Sequence, residues 1–235
     1  MKELNVSSAV GTGWEVAKRH GLIIAAIVLI ADIIGGILSS AFGADLTPSD
    51  LQDISQQVKI DPAGAMRQLF GIIYTGGAIF GNIISAIISI TVTLGLYNLA
   101  LALIKGQCYN VGFDAFRLPL MTYVKFIVTE IIVGILQAIS LICCVIPFFF
   151  VAPRLAFAGL YIVENPEAGV IEAISASWNL TSASTLKMIG LFFIFIGMAL
   201  LGVLCCCIGV YFAEAVIILV TTAAYLQLRA DNETY

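Results

Sequence analysis

Five ionisable side chains interrupt the long apolar segments of this sequence. Charged groups are costly inside a lipid bilayer, so each is a candidate for a solute path, a proton path or an ion pair that joins helices. Arginine keeps its proton, and Arg154 therefore needs an acidic partner, water or backbone carbonyls. We expect Glu130 or Asp32 to be that partner. The candidate residues are Asp32, Lys125, Glu130, Arg154 and Glu214.

The predicted depth of three of these residues leaves two interpretations open. Asp32, Glu130 and Arg154 fall near the middle of their apolar segments. At that depth they could form a structural ion pair between helices or line a path for a substrate or proton. Pro153 precedes Arg154. Proline removes a helical hydrogen bond, and broken membrane helices often line binding sites.

The other ionisable residues form no recognisable catalytic set. Lys125 and Glu214 lie closer to opposite membrane faces, and the long Lys125 side chain can reach the interface while that of Glu214 is short. The single histidine, His20, lies at the edge of the first apolar segment. The sequence has no P-loop, no nucleophile elbow and no His-Glu-x-x-His motif. We therefore predict no catalytic residues and no enzymatic activity.

Five of the six cysteines occur in two short runs, at two predicted outward-facing turns. An oxidising compartment would permit a disulfide between the turns. Against this, adjacent cysteines lack the Cys-x-x-Cys spacing of redox enzymes and zinc sites, and cysteine is also a small apolar residue suited to close helix packing. Both interpretations stay open, with no metal and no cofactor predicted. The two runs are Cys143 and Cys144, and Cys205, Cys206 and Cys207.

The composition excludes a water-soluble fold. Hydrophobic residues make up 60% of the chain and charged residues 11%, with a mean hydropathy of +1.05. Soluble domains are about 45–50% apolar and about 25% charged, and a domain of this size could not bury so much apolar surface. The net charge of -4, without a basic stripe, argues against a nucleic-acid partner.

Six apolar segments are long enough to cross a bilayer, which takes about 20 residues. The second segment is ambiguous, because Asp61 and Pro62 are typical of a helix start and apolar residues continue to Ile104. Such a helix would be about 64 Å long and must break or leave the bilayer. Glycines between 71 and 81 are either the break or a close-packing face. The predicted spans are 21–42, 78–103, 118–143, 146–163, 186–206 and 208–228.

The distribution of lysine and arginine predicts the orientation. Cytoplasmic loops carry an excess of both residues, and nearly all of them fall on the side of the two termini. Only Lys59 and Arg67 fall on the opposite side. Both termini are therefore predicted to be cytoplasmic. Residues 43–70 would form an extracytoplasmic loop with a short helix, whose aspartates lack the spacing of a calcium-binding loop.

The two tryptophans of the chain stand in similar surroundings. Trp14 lies in AVGTGWEV at 9–16, and Trp178 lies in AISASWNL at 173–180. Each segment is too polar to cross the membrane and places its indole at headgroup depth, which predicts cytoplasmic interfacial helices over 1–20 and 164–185. Each would lead into a transmembrane hairpin. Similar turns at 142–150 and 204–212 indicate parallel repeats, an arrangement that some transporters use, although chance similarity of apolar segments is the alternative.

Nearly the whole sequence resembles a known family, and the Ser-Trp-x-Leu-Thr segment at 177–181 is the distinctive part. The similarity is to the membrane domain attached to some prokaryotic glycerophosphoryl diester phosphodiesterases, and to its stand-alone six-helix relatives of uncharacterised function. The matching features are Pro147, Arg154, Asn165-Pro166, Glu172-Ala173, Ser177-Trp178 and Leu180-Thr181. The resemblance implies a prokaryotic inner-membrane protein. Nothing in the chain corresponds to the soluble phosphodiesterase barrel, so hydrolysis is not implied.

These features together predict one all-α transmembrane domain over residues 1–235, built from about six spans arranged as hairpins with interfacial amphipathic helices. We expect a scaffold or accessory subunit of the prokaryotic cytoplasmic membrane. Its partners would be membrane lipids, a second copy of the chain or another membrane protein. The alternative is a transporter of a small solute or lipid that uses the midplane charges. An enzyme that uses the paired cysteines is the third and weakest hypothesis.

Overall fold

The structure is a computed structural model that describes residues 4–41, 48–66, 76–106, 113–143, 145–204 and 208–232. Within these ranges the regular structure is helical and no strand occurs. Six of the described helical segments are long and apolar enough to cross a membrane. The predicted fold class, an all-α polytopic transmembrane bundle, is therefore confirmed.

Nine α-helices are labelled here in chain order. A single 3₁₀ turn, Phe113–Phe116, precedes α4 among the described residues. Most helix bounds agree with the predicted spans to within a few residues. The helices are α1 (Val6–Ala41), α2 (Pro48–Ile60), α3 (Gly76–Ile104), α4 (Leu120–Cys143), α5 (Val145–Leu155), α6 (Ala158–Glu164), α7 (Val170–Ser182), α8 (Thr185–Leu204) and α9 (Ile208–Asn232).

The chain forms two compact units, and the smaller one is Leu29–Thr91. Within it, the Asp61 carboxylate accepts a hydrogen bond from the Ala63 N–H at 3.1 Å, which confirms the predicted helix start at Asp61-Pro62. A Cβ atom at Gly35 would lie 2.9 Å from Ser85 Oγ, so α1 and α3 approach closely in this unit. Gly71 and the predicted break around it lie outside the described residues.

The larger unit combines Met1–Val28 with Val92–Tyr235. In it a stripe of small, buried residues on α1 faces α9. Small residues four positions apart let two helix backbones approach closely. A Cβ atom at Gly13 would lie only 2.5 Å from Val220 Cγ2, and one at Gly21 would lie 3.0 Å from the Phe212 ring. The stripe consists of Ala9, Gly13, Ala17 and Gly21.

The start of α1 differs from the separate interfacial helix predicted over 1–20. Residues 6–20 continue without interruption into the rest of α1. The Leu4 N–H donates a hydrogen bond to Ser184 Oγ at 2.9 Å, and the Asn5 N–H donates to Gln227 Oε1 at 3.1 Å. The small-residue stripe lets residues 6–20 pack closely against α9. This segment is therefore the first part of α1 and not a separate helix. Its depth in the membrane interface stays a prediction.

The segment over 164–185 does contain the separate helix that the sequence predicts. α7 begins after Gly169, whose N–H donates to the Glu172 carboxylate at 3.2 Å, and it ends two residues before α8. Its buried face, Ala173, Ser177 and Thr181, packs against α4, α5 and α6. α7 thus lies beside the fourth candidate span, Pro147–Glu164.

Candidate functional site

The fourth candidate span is broken just after Arg154. α5 ends at Leu155, residues 156–157 form a turn, and α6 begins at Ala158. Pro153 lies inside α5 and has no N–H to donate, which removes one bond from the helical ladder. Buried backbone groups at the break need partners from elsewhere, because lipid supplies none.

Ser177 on α7 supplies those partners. Its hydroxyl donates a hydrogen bond to the Arg154 carbonyl at 2.7 Å and accepts one from the Phe157 N–H at 3.2 Å. Ser177 and Thr181 are fully buried, and the Thr181 hydroxyl donates to the Ser177 carbonyl at 2.9 Å. One serine therefore joins the two halves of the broken span.

The Arg154 side chain binds the residues that surround Ser177 rather than an acidic residue. Its Nη2 and Nε atoms donate to Thr185 Oγ1 at 2.9 and 3.3 Å. Its Cζ atom lies 4.5 Å from the centroid of the Trp178 ring, within the range of a cation–π interaction. Arg154, Trp178 and Thr185 are called the Arg154 cluster below.

The expected ion pair between Arg154 and Glu130 does not form among the described residues. The reason is the direction of the arginine side chain. It points toward α7 and the start of α8, where an aromatic face and a hydroxyl receive it. Asp32, the other expected partner, belongs to the Leu29–Thr91 unit, where its side chain is exposed.

The Ser-Trp-x-Leu-Thr segment, the distinctive part of the resemblance, now has a structural role. Ser177 binds the backbone of Arg154, Trp178 stacks on its guanidinium, and Thr181 supports Ser177. Three of the four specified residues in this five-residue segment therefore contact the broken span. Sequence reasoning treated Trp178 as an interfacial anchor, and its ring is 40% exposed.

Glu130 lines a cavity of about 300 Å³ in the larger unit. The other polar residues of its wall are Tyr97, Gln137 and Thr221, so side chains from α3, α4 and α9 meet there. Glu130 makes no hydrogen bond or ion pair with any residue that the structure describes. A Cβ atom at Gly159 would lie 2.6 Å from Glu130 Oε1, so this glycine leaves room for the carboxylate.

Glu164 joins three helix ends, and sequence reasoning missed it. One carboxylate oxygen lies 2.6 Å from Lys105 Nζ, and the other contacts the Arg229 guanidinium. The three residues stand at or near the ends of α6, α3 and α9. The sequence does contain a signal for this ion pair. Glu164 is a single acidic residue at the end of an apolar segment, on the same predicted side of the membrane as Lys105 and Arg229.

Lys125 and Glu214 are not brought together. Lys125 Nζ donates to the Pro166 carbonyl at 2.7 Å and ties α4 to the loop before α7. The predicted position of Lys125 near a membrane face stays a prediction. Glu214 is exposed on α9.

Trp14 is 42% exposed and packs edge-to-face on Phe212, with ring centroids 6.2 Å apart. Lys18 Nζ lies 6.0 Å from the same indole. Both predicted anchors, Trp14 and Trp178, therefore combine a partly exposed indole with a nearby cation.

The predicted disulfide falls mostly on residues outside the described ranges. Cys144 and residues 205–207 are not described, and Cys143 is exposed without a disulfide to any described residue. The disulfide therefore stays a prediction. Among the described residues, no group of three or more His, Cys, Asp or Glu side chains could hold a metal ion.

Comparison with known proteins adds no relative. No family model matches the chain, and no curated protein or solved structure matches it significantly. The geometry of the two sites therefore carries the functional argument.

Proposed function

We propose that the protein is a non-enzymatic scaffold or accessory subunit of the prokaryotic cytoplasmic membrane that binds anionic lipid headgroups at the Arg154 cluster. The observation that carries this proposal is an arginine without a carboxylate partner among the described residues. Two of its five N–H donors bind Thr185, and the other three make no hydrogen bond with the described part of the chain. A guanidinium with unused donors suits a phosphate oxygen.

The surroundings of the cluster favour the boundary between headgroups and hydrocarbon, a shallower position than the midplane depth that the sequence predicts for Arg154. Thr185 is the first residue of α8, whose 20 residues extend about 30 Å, enough to cross the hydrocarbon core alone. Exposed polar residues precede it, at Asn179 and Ser182, and Leu186 just after it is 79% exposed. The partly exposed Trp178 ring also favours headgroup depth.

The helix dipole adds to the attraction for an anion. The N-terminus of α8 carries a partial positive charge from the helix dipole. Thr185 places the arginine beside this end. Both features favour a headgroup with a net negative charge over a zwitterionic headgroup.

Lipid binding tests the proposal directly. Native mass spectrometry of the detergent-solubilised protein should show retention of phosphatidylglycerol in preference to phosphatidylcholine. Arg154→Gln should reduce this preference at least fivefold, because it removes the charge and leaves the backbone carbonyl that Ser177 binds. Arg117→Gln removes an exposed cation outside the cluster and should change little. An undiminished preference in Arg154→Gln would refute the proposal.

The proposed relationship to the membrane domain of glycerophosphoryl diester phosphodiesterases is compatible with this role. Three of the residues that carry the resemblance, Ser177, Trp178 and Thr181, contact Arg154. A role as scaffold also requires a stable partner. If the protein proved strictly monomeric and copurified with neither partner nor specific lipid, the scaffold role would lose its support.

Transport of a small solute is a second candidate function, favoured by the cavity beside Glu130. A broken span next to a polar cavity is an arrangement that transporters use. Gln137→Cys in a cysteine-free background would report access to this cavity in proteoliposomes. A transporter predicts labelling by a membrane-impermeant maleimide from each side of the membrane in turn. Labelling from neither side would exclude this function.

A further inference from the structure

The cavity beside Glu130 combines one carboxylate with four aromatic rings. Tyr97, Phe148, Phe192 and Phe195 contribute the rings, from α3, α5 and α8. Phe148 and Phe192 pack edge-to-face with their centroids 6.3 Å apart. This wall is unlike the apolar lining of an ordinary gap between helices, because it places a carboxyl group beside four aromatic side chains.

Nothing among the described residues neutralises Glu130. Two cations of the larger unit are bound elsewhere, Arg154 to Thr185 and Lys125 to the Pro166 carbonyl. A carboxylate in a membrane span is costly unless a counter-charge accompanies it. The described wall of the cavity therefore holds no cationic side chain, and the cavity has the volume to receive a cation from a ligand.

The aromatic wall indicates the class of that ligand. Ring faces attract cations within about 6 Å, and cages of aromatic side chains are a common means of binding alkylated ammonium groups. A volume of about 300 Å³ accommodates a small organic cation, at the lower end of the range for ligand pockets. A calcium ion needs six to eight oxygen ligands, far more than one carboxylate and its polar neighbours provide.

We propose that this cavity is a binding site for a small alkylammonium cation, with Glu130 as the counter-charge and the four aromatic rings as the cage. The site is independent of the Arg154 cluster, which lies outside the cavity wall. The binding proposal does not depend on transport, because binding alone requires no movement of the helices.

Isothermal titration of the protein in a maltoside detergent tests the proposal with choline as the probe. Choline should bind saturably, and Glu130→Gln should weaken its binding at least tenfold. Glu167→Gln makes the same change at an exposed loop position and should leave binding unchanged. The neutral isostere 3,3-dimethyl-1-butanol should bind at least tenfold more weakly than choline, because it keeps the shape and lacks the charge.

A second variant keeps the proposal testable if Glu130→Gln fails to fold. Phe192→Leu removes one ring of the cage and should weaken choline binding severalfold while leaving the weak affinity for the neutral isostere unchanged. The proposal is overturned if choline does not bind, if the isostere binds equally well, or if neither substitution affects choline. Competition by a short-chain phosphatidylcholine would identify a lipid headgroup as the source of the cation, and competition by free ethanolamine alone would identify a soluble amine.

Discussion

Replacing Ser177 with alanine removes the only side chain that forms hydrogen bonds to both sides of the break among the described residues. The substitution leaves the Phe157 N–H without its 3.2 Å acceptor, and the Arg154 carbonyl loses its 2.7 Å donor. Phe157 and Ser177 are fully buried, so water cannot easily replace the hydroxyl. The longer contact from Thr181 Oγ1 to the same carbonyl, at 3.5 Å, offsets only part of this loss.

The expected loss of stability follows from these two groups. An unsatisfied buried N–H costs about 1–3 kcal/mol, and weakening the bond to the carbonyl adds about 1 kcal/mol. The free energy of unfolding should therefore fall by about 2–4 kcal/mol. At about 2–4 °C per kcal/mol for a chain of this length, the melting temperature should fall by about 4–16 °C.

Unfolding by sodium dodecyl sulfate in mixed micelles would measure this change. Ser175→Ala is the matched control, because Ser175 is exposed on the same helix and accepts only a 3.5 Å bond from Asn179. It should change stability by less than about 0.5 kcal/mol. Equal stability of the two variants would show that Ser177 does not hold the broken span together.

Two further substitutions test other parts of the larger unit by the same titration. Gly159→Ala would bring a Cβ atom within 2.6 Å of Glu130 Oε1, so the free energy of unfolding should fall by about 1–3 kcal/mol. Gly134→Ala is the control, because no atom lies within 4 Å of its added Cβ, and it should not lower the stability of the protein. Glu164→Gln removes the charge shared by two cations and should cost about 1–3 kcal/mol, more than the exposed control Glu167→Gln; equal effects would contradict the role of Glu164.

Local properties of the sequence were sufficient for most of the architecture. Hydropathy over about 20 residues is a local quantity, so the predicted spans 118–143, 186–206 and 208–228 lie close to α4, α8 and α9. The helix start at Asp61-Pro62 was predictable for the same reason, since a cap involves only neighbouring residues.

Three features depend on contacts between distant segments and could not be predicted from the sequence. The polar residues at the start of α1 predict a surface helix. Its packing against α9 could not be predicted, because the two segments are about 200 residues apart in the sequence. The side chain of Arg154 could be placed only once the break and α7 were known. The cavity beside Glu130 has walls from several helices, and no single segment indicates its volume or its aromatic lining.

The depth of Trp178 in the bilayer tests the central claim most directly. Trp14→Phe leaves Trp178 as the sole tryptophan, so that its fluorescence can be quenched by lipids brominated at known positions along the acyl chain. A lipid-binding Arg154 cluster at the membrane interface predicts the strongest quenching by bromines closest to the headgroup. Strongest quenching by bromines near the bilayer centre, or no quenching at any depth, would contradict it.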